Sequence, residues 1–271
     1  MAAGGTHGPE AVDLVTAAVR ARAGHRRPVS VDRVGVVLTA LGWGGLAAAS
    51  LVIGAALALL RTWQDGLIGG VLAFGAGALI SSVAFELAQE GLQVGSPISV
   101  ALGLVVGALT FFLANRAVDR IGGRGGGGSA GLPLALGSLL DGIPEQAVLG
   151  IGLASGDGVS VALLVAIFVS NLPEGIGSAA DMRAAGKSPG RVIQLWLGVA
   201  VVCALATLGG YGIADVAGDN LRAGIDGFAA GALLVMLVDS MIPEATKKAG
   251  NRAGLATVLG FAVAAALSNL T

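Results

Sequence analysis

Apolar residues dominate long stretches of this sequence, and eight of those stretches reach the roughly 20 residues that a membrane-spanning helix requires. They lie near 34–60, 67–88, 97–115, 132–153, 159–180, 192–213, 223–243 and 253–270. The pattern predicts an all-α integral membrane protein, with eight transmembrane helices in one domain, 34–270. Polar positions gather outside these stretches. Residues 1–33 form a polar, arginine-bearing tail without the apolar core of a cleavable signal, so the first spanning helix is expected to direct insertion. The tail itself is expected to be a solvated, partly disordered extension. Short connectors join the helices, apart from the low-complexity run Gly122–Gly128, which lies in a loop, 122–131, expected to be flexible.

Composition agrees with burial in lipid. Hydrophobic residues make up 55% of the 271 positions and charged residues 12%, about half the charged share of a soluble domain. Most glycines are scattered within the apolar runs, where small residues let helices approach closely. No basic patch interleaved with aromatics is present, which argues against nucleic acid as a partner. Cys203 is the single cysteine, so no disulfide framework exists within the chain. Both histidines, His7 and His25, lie in the tail. Neither H-E-x-x-H nor a Walker A sequence occurs. The chain is therefore not expected to be an enzyme or to carry a prosthetic group.

Orientation follows from lysine and arginine. The third, fifth and seventh connectors carry Arg116, Arg120 and Arg124, then Arg183, Lys187 and Arg191, then Lys247, Lys248 and Arg252. The second and fourth carry none. Odd connectors are thus expected in the cytoplasm, with both termini outside; the tail arginines, Arg20 to Arg33, vote the other way. Two internal echoes are visible as well. Phe74-Gly-Ala-Gly-Ala-Leu79 in the second helix recurs as Phe228-Ala-Ala-Gly-Ala-Leu233 in the seventh, and Pro144-Glu145 recurs as Pro173-Glu174. With eight helices each pair runs in opposite directions, as inverted repeats require.

The chemistry concentrates in the fourth and fifth helices. Asp141 and Glu145 are spaced i, i+4 and share one helix face. An unpaired charge at mid-membrane costs at least roughly 2.5–3.5 kcal/mol. Pro144 removes the N–H that the Leu140 carbonyl would use, so a kink is expected there. The fifth helix repeats the arrangement: Ser170 and Asn171 lie on the face of Glu174, and Pro173 frees the Val169 carbonyl. Two such helices facing one another would offer an oxygen-rich site. No lysine or arginine lies inside the eight predicted stretches to neutralise these acids, which leaves a bound cation or protons. The alternative is that Glu145 and Glu174 are protonated and serve the freed carbonyls. Further acids lie toward helix ends, Glu86 and Glu90 on the second helix, Asp239 and Glu244 on the seventh. They are candidates for the two ends of one pathway, or ordinary interfacial acids.

At these motifs the sequence resembles the ZIP (Zrt/Irt-like) family of divalent-metal transporters. The family's His-Asn-x-Pro-Glu-Gly pattern is matched by Asp141-Gly-Ile-Pro-Glu-Gln146 and by Ser170-Asn-Leu-Pro-Glu-Gly175. The resemblance covers roughly 34–270 and implies a 3+2+3 helix arrangement with the metal between the fourth and fifth helices. Carried over position by position, it implies Glu145, Asn171 and Glu174 as ligands, with Asp141 at a ligand position. Ser170, Gln146 and Cys203 stand at further candidate ligand positions; Cys203 falls where the family has a glutamate. Both motif histidines are replaced, and losing imidazole hardens the site toward manganese or iron(II) relative to zinc.

The function expected is a secondary transporter of a divalent cation (zinc, iron(II) or manganese), moving it toward the cytoplasm across the cell membrane. A proton- or monovalent-cation-coupled carrier is the alternative within that class. A non-transporting metal sensor or scaffold is the alternative outside it. The expected partners are the cation and the lipid bilayer, with a homodimer as a candidate assembly.

Overall fold

The computed structural model describes residues 33–124, 131–154 and 159–268. Residues 1–32 of the predicted tail, and 125–130 of the predicted flexible loop, lie outside the described residues. Two compact units divide the chain, Met1–Val36 and Val37–Thr271, and only 33–36 of the first are described.

Every regular element among the described residues is helical: α1 (Arg33–Leu60), α2 (Asp65–Val94), α3 (Pro97–Arg124), α4 (Gly131–Ala154), α5 (Val161–Ala184), α6 (Pro189–Val216), α7 (Asp219–Ala249) and α8 (Arg252–Ser268). By length and composition α1, α2, α3, α5, α6 and α7 can each cross a membrane, so the chain is a multi-pass membrane protein. The other two fall short for separate reasons. Asp141, Pro144, Glu145 and Gln146 dilute the hydropathy of α4, and α8 is apolar but only 17 residues long.

Burial sorts the helices into inner and outer sets. In α2, 67% of the most apolar stretch is buried, and in α5 and α7 56%, against 17% in α3. Leu102, Val105, Leu109 and Leu113 on α3 and Leu255, Val258 and Leu259 on α8 point outward. So continuous an apolar exterior suits lipid rather than water. The core is built mostly from the inner helices: Leu72, Ala76 and Leu79 of α2 meet Leu149 of α4, Leu163 and Ile167 of α5, and Leu233 and Met236 of α7. A second cluster joins Leu51 and Ala55 of α1 to Met182 of α5 and Trp196 and Val199 of α6.

The sequence echo has a packing counterpart. α2 lies along α8, and α7 lies along α3. Gly77 of α2 meets the Thr257 carbonyl, while its echo, Gly231 of α7, meets the Leu104 carbonyl, so closely that a β-carbon at either would overlap main chain. Small residues at these crossings therefore set the distance between helices. Two of the inner helices also contain a π-helical stretch, Val83–Ala88 in α2 and Leu237–Met241 in α7.

Local signals fix the ends of α5, which carries half of the site. Ser160 caps its start by accepting from the Leu163 N–H at 3.1 Å. Gly186, at φ +80, ends it, and the following Lys187 N–H reaches back to the Met182 carbonyl at 3.0 Å, a Schellman closure.

Candidate functional site

Both prolines sit inside helices that continue through them as single elements, Gly131–Ala154 and Val161–Ala184. The inner bundle also carries the π stretches of α2 and α7. This placement matters because a π turn shifts which residues share a face.

Asp141, Glu145, Glu174 and Glu244 wall one cavity of about 30 Å³, together with Leu72, Met236, Ser240 and Met241. A space of that size holds one or two waters, or a single ion. Four helices contribute, α2, α4, α5 and α7. Glu145 is 2% exposed, whereas Asp141 and Glu174 are half-buried. Ser170 Oγ donates to Glu145 Oε1 at 3.4 Å but lies closer, at 3.0 Å, to the Ile167 carbonyl of its own helix. A hydroxyl has one proton to give, so the carboxylate receives the weaker share. Glu145 Oε2 has no hydrogen-bond partner within the protein.

The acids act on one another: Glu145 is within electrostatic reach of Glu174 and Asp141, and Asp141 of Glu174 and Glu244. Like charges gathered around the buried Glu145 favour a cation or a proton among them. Among the described residues, no three His, Cys, Asp or Glu side chains are already gathered as a metal-binding set. The acids share a cavity wall without converging, so a bound cation would have to draw them in.

The remaining candidates separate clearly. Asn171 is 1% exposed and both side-chain polar atoms lack a partner within the protein, but it is not on the cavity wall. Gln146 turns away toward α6, where its Oε1 accepts from Thr207 Oγ1 at 2.8 Å. Cys203 is buried on α6 within reach of the Glu145 and Glu174 charges. Its Sγ fits against Gly142, where an added β-carbon would lie 2.8 Å from the sulfur.

Of the helix-end acids, only Glu244 joins the central cavity. It also pairs with Lys248 at 3.1 Å, and the Lys248 ammonium rests against Gly177 of α5, three residues past Glu174. Glu86 accepts from Ser160 Oγ at 2.8 Å. Glu90 pairs with Arg222 at 2.9 Å. Asp239 is exposed and lines a shallow groove between α3 and α7 with Leu104, Phe112 and Val238. α7 runs well beyond its predicted stretch at both ends, which brings Arg222 and Lys248 into the helix and close to acids.

Sequence reasoning missed Met236, Ser240 and Met241. Met236 and Met241 are five apart, a spacing that shares a face across a π turn but not along an ordinary α-helix. No local feature of the sequence marks that turn.

No family model matches the chain. Among curated proteins, one from Arabidopsis thaliana named "Putative zinc transporter" is 28% identical over 204 residues, 72% of this chain. The chain is thus similar to a protein whose name is that of a zinc transporter. The matched region is 33% of that relative's length, so the chain spans about a third of the protein it resembles. Within the ZIP-like pattern, the paired Pro-Glu helices are the two that bring Glu145 and Glu174 to the shared cavity.

Proposed function

We propose that this chain is a ZIP-like secondary transporter that carries a divalent cation across the cell membrane toward the cytoplasm. The observation that carries the reading is the cavity walled by Asp141, Glu145, Glu174 and Glu244 inside an apolar helical bundle. Glu145 and Glu174 are the central ligands, with Asp141 and Asn171 completing the shell. Met236 and Met241 stand on the same wall beside these oxygen donors. All eight helices span the bilayer as one domain, 34–270, in a 3+2+3 order, with α2 and α7 as inverted equivalents. The reciprocal pairings of α2 with α8 and of α7 with α3 support that order.

The similarity to a transporter also favours a non-enzymatic protein whose metal is cargo rather than a resident group. Uptake by proteoliposomes tests the proposal. Manganese or iron(II) should compete with zinc within about an order of magnitude, because oxygen donors discriminate weakly between them. Cation-independent proton or sodium flux would favour the coupled-carrier alternative. Absence of any flux from a folded, reconstituted protein would leave a sensor or scaffold.

A further inference from the structure

Near the start of α7 lies a carboxylate that the central cavity does not use. Asp226 is 2% exposed and its Oδ2 has no hydrogen-bond partner within the protein. It sits two turns into the helix, packed toward Gly91 of α2, and Glu90 beside that glycine is within electrostatic reach. Arg222 precedes Asp226 by four residues on the same face. It bonds Glu90 through Nη2 to Oε1 at 2.9 Å and also acts on Asp226. The Arg222 guanidinium thus acts on both Glu90 and Asp226.

Acceptors continue inward from this point along successive turns of α2. Glu86 follows Glu90, with its Oε2 buried and without a protein partner; Ser82 follows Glu86, with a buried hydroxyl also without one. Glu90 is 35% exposed and Arg222 18% exposed, so the outer end of this row opens toward solvent while Asp226 stays inside. The Asn220 side chain accepts from the Ser96 N–H at 2.9 Å and ties the start of α7 to the α2–α3 turn, which holds the two acidic walls in place.

We propose that Glu90 and Asp226 form a second cation-binding station, at the end of the bundle where α7 begins, and that Arg222 is its tethered counter-ion, displaced by an incoming divalent cation. The inference rests on the reading of the chain as a cation pathway and adds to it a place where the ion exchanges water for carboxylate before reaching Glu145. Exchange breaks one ion pair and makes another, with no covalent step. The guanidinium is close enough to solvent to leave, and the carboxylate oxygens left behind suit a hard cation.

Manganese(II) binding to the full chain in detergent, followed by the paramagnetic resonance of the free ion, tests the station. Arg222→Gln should tighten one class of manganese site at least tenfold, and Arg222→Gln with Asp226→Asn should abolish that gain. A manganese isotherm unchanged by Arg222→Gln, or a gain that survives Asp226→Asn, would overturn the proposal. Should Arg222→Gln not accumulate, Asp226→Asn alone should weaken one class of site at least tenfold, and an unchanged isotherm there is equally contrary. Repeating the series in the Glu145→Gln, Glu174→Gln background keeps the two readings apart. If the Arg222→Gln gain persists there while that background transports normally, the station stands and the central site falls.

Discussion

Thr207 and Gly142 show how single positions shape the ground around the central acids. The Thr207 hydroxyl satisfies the buried Gln146 carbonyl, and that fixes the face of α4 that turns to α6. Thr207→Val keeps the shape but orphans the acceptor, at a cost of about 1–3 kcal/mol. The thermal midpoint of the detergent-solubilised protein should fall accordingly, while Thr207→Ser should hold it. Gly142 leaves room for the Cys203 sulfur. Gly142→Ala should therefore lower both stability and uptake, and Cys203→Ala, by removing that sulfur, should restore much of both in the double variant. A double variant no better than Gly142→Ala would show that the sulfur is not what the methyl meets.

Helices α2 and α7 are the elements on which the site depends, and each meets an outer helix at a glycine. Gly77→Val and Gly231→Val should both push main chain away from main chain, and overpacking of this kind commonly costs about 1–3 kcal/mol. The two variants should lose folded yield to a similar degree, measured as monodisperse protein from membranes; loss from only one would break the equivalence of α2 and α7. The existence of these elements was legible from hydropathy, because apolar stretches long enough to span stand out against short connectors. Their true ends were not: Gln89–Val94 and Ile242–Ala249 are polar enough to escape an apolar window and remain helical through continuity with the π stretches. The acids of the candidate site were legible too, since a mid-helix carboxylate beside a proline is conspicuous in an apolar run. Glu145 and Glu174 come to one cavity as their motif suggested, and Asp141 comes with them. Gln146, the residue after Glu145, lies about 100° away around the helix and bonds Thr207. Glu244 is exposed and paired with Lys248, as an interfacial acid would be, while its place on the cavity wall depends on how α7 is packed, which no local pattern records.

At the scale of the whole molecule, the proposed direction of transport depends on orientation, and the positive connectors are expected to mark the cytoplasmic side. A cysteine at Gly123, in a Cys203→Ala background, should react with an impermeant maleimide only from that side. Labelling in intact cells would reverse the orientation and make the tail arginines the true guide. The central claim is that Glu145 and Glu174 hold the cation as carboxylates. Glu→Gln at both nearly preserves shape and removes two charges from a water-poor cavity, where contacts to an ion are strong. Losing one such contact is worth about 1.5–3 kcal/mol. The decisive measurement is divalent-metal uptake by proteoliposomes containing the Glu145→Gln, Glu174→Gln protein, at an amount matched to the parent. Uptake should fall at least tenfold with the helical content and thermal midpoint retained; undiminished uptake would mean that the cation crosses without these two carboxylates.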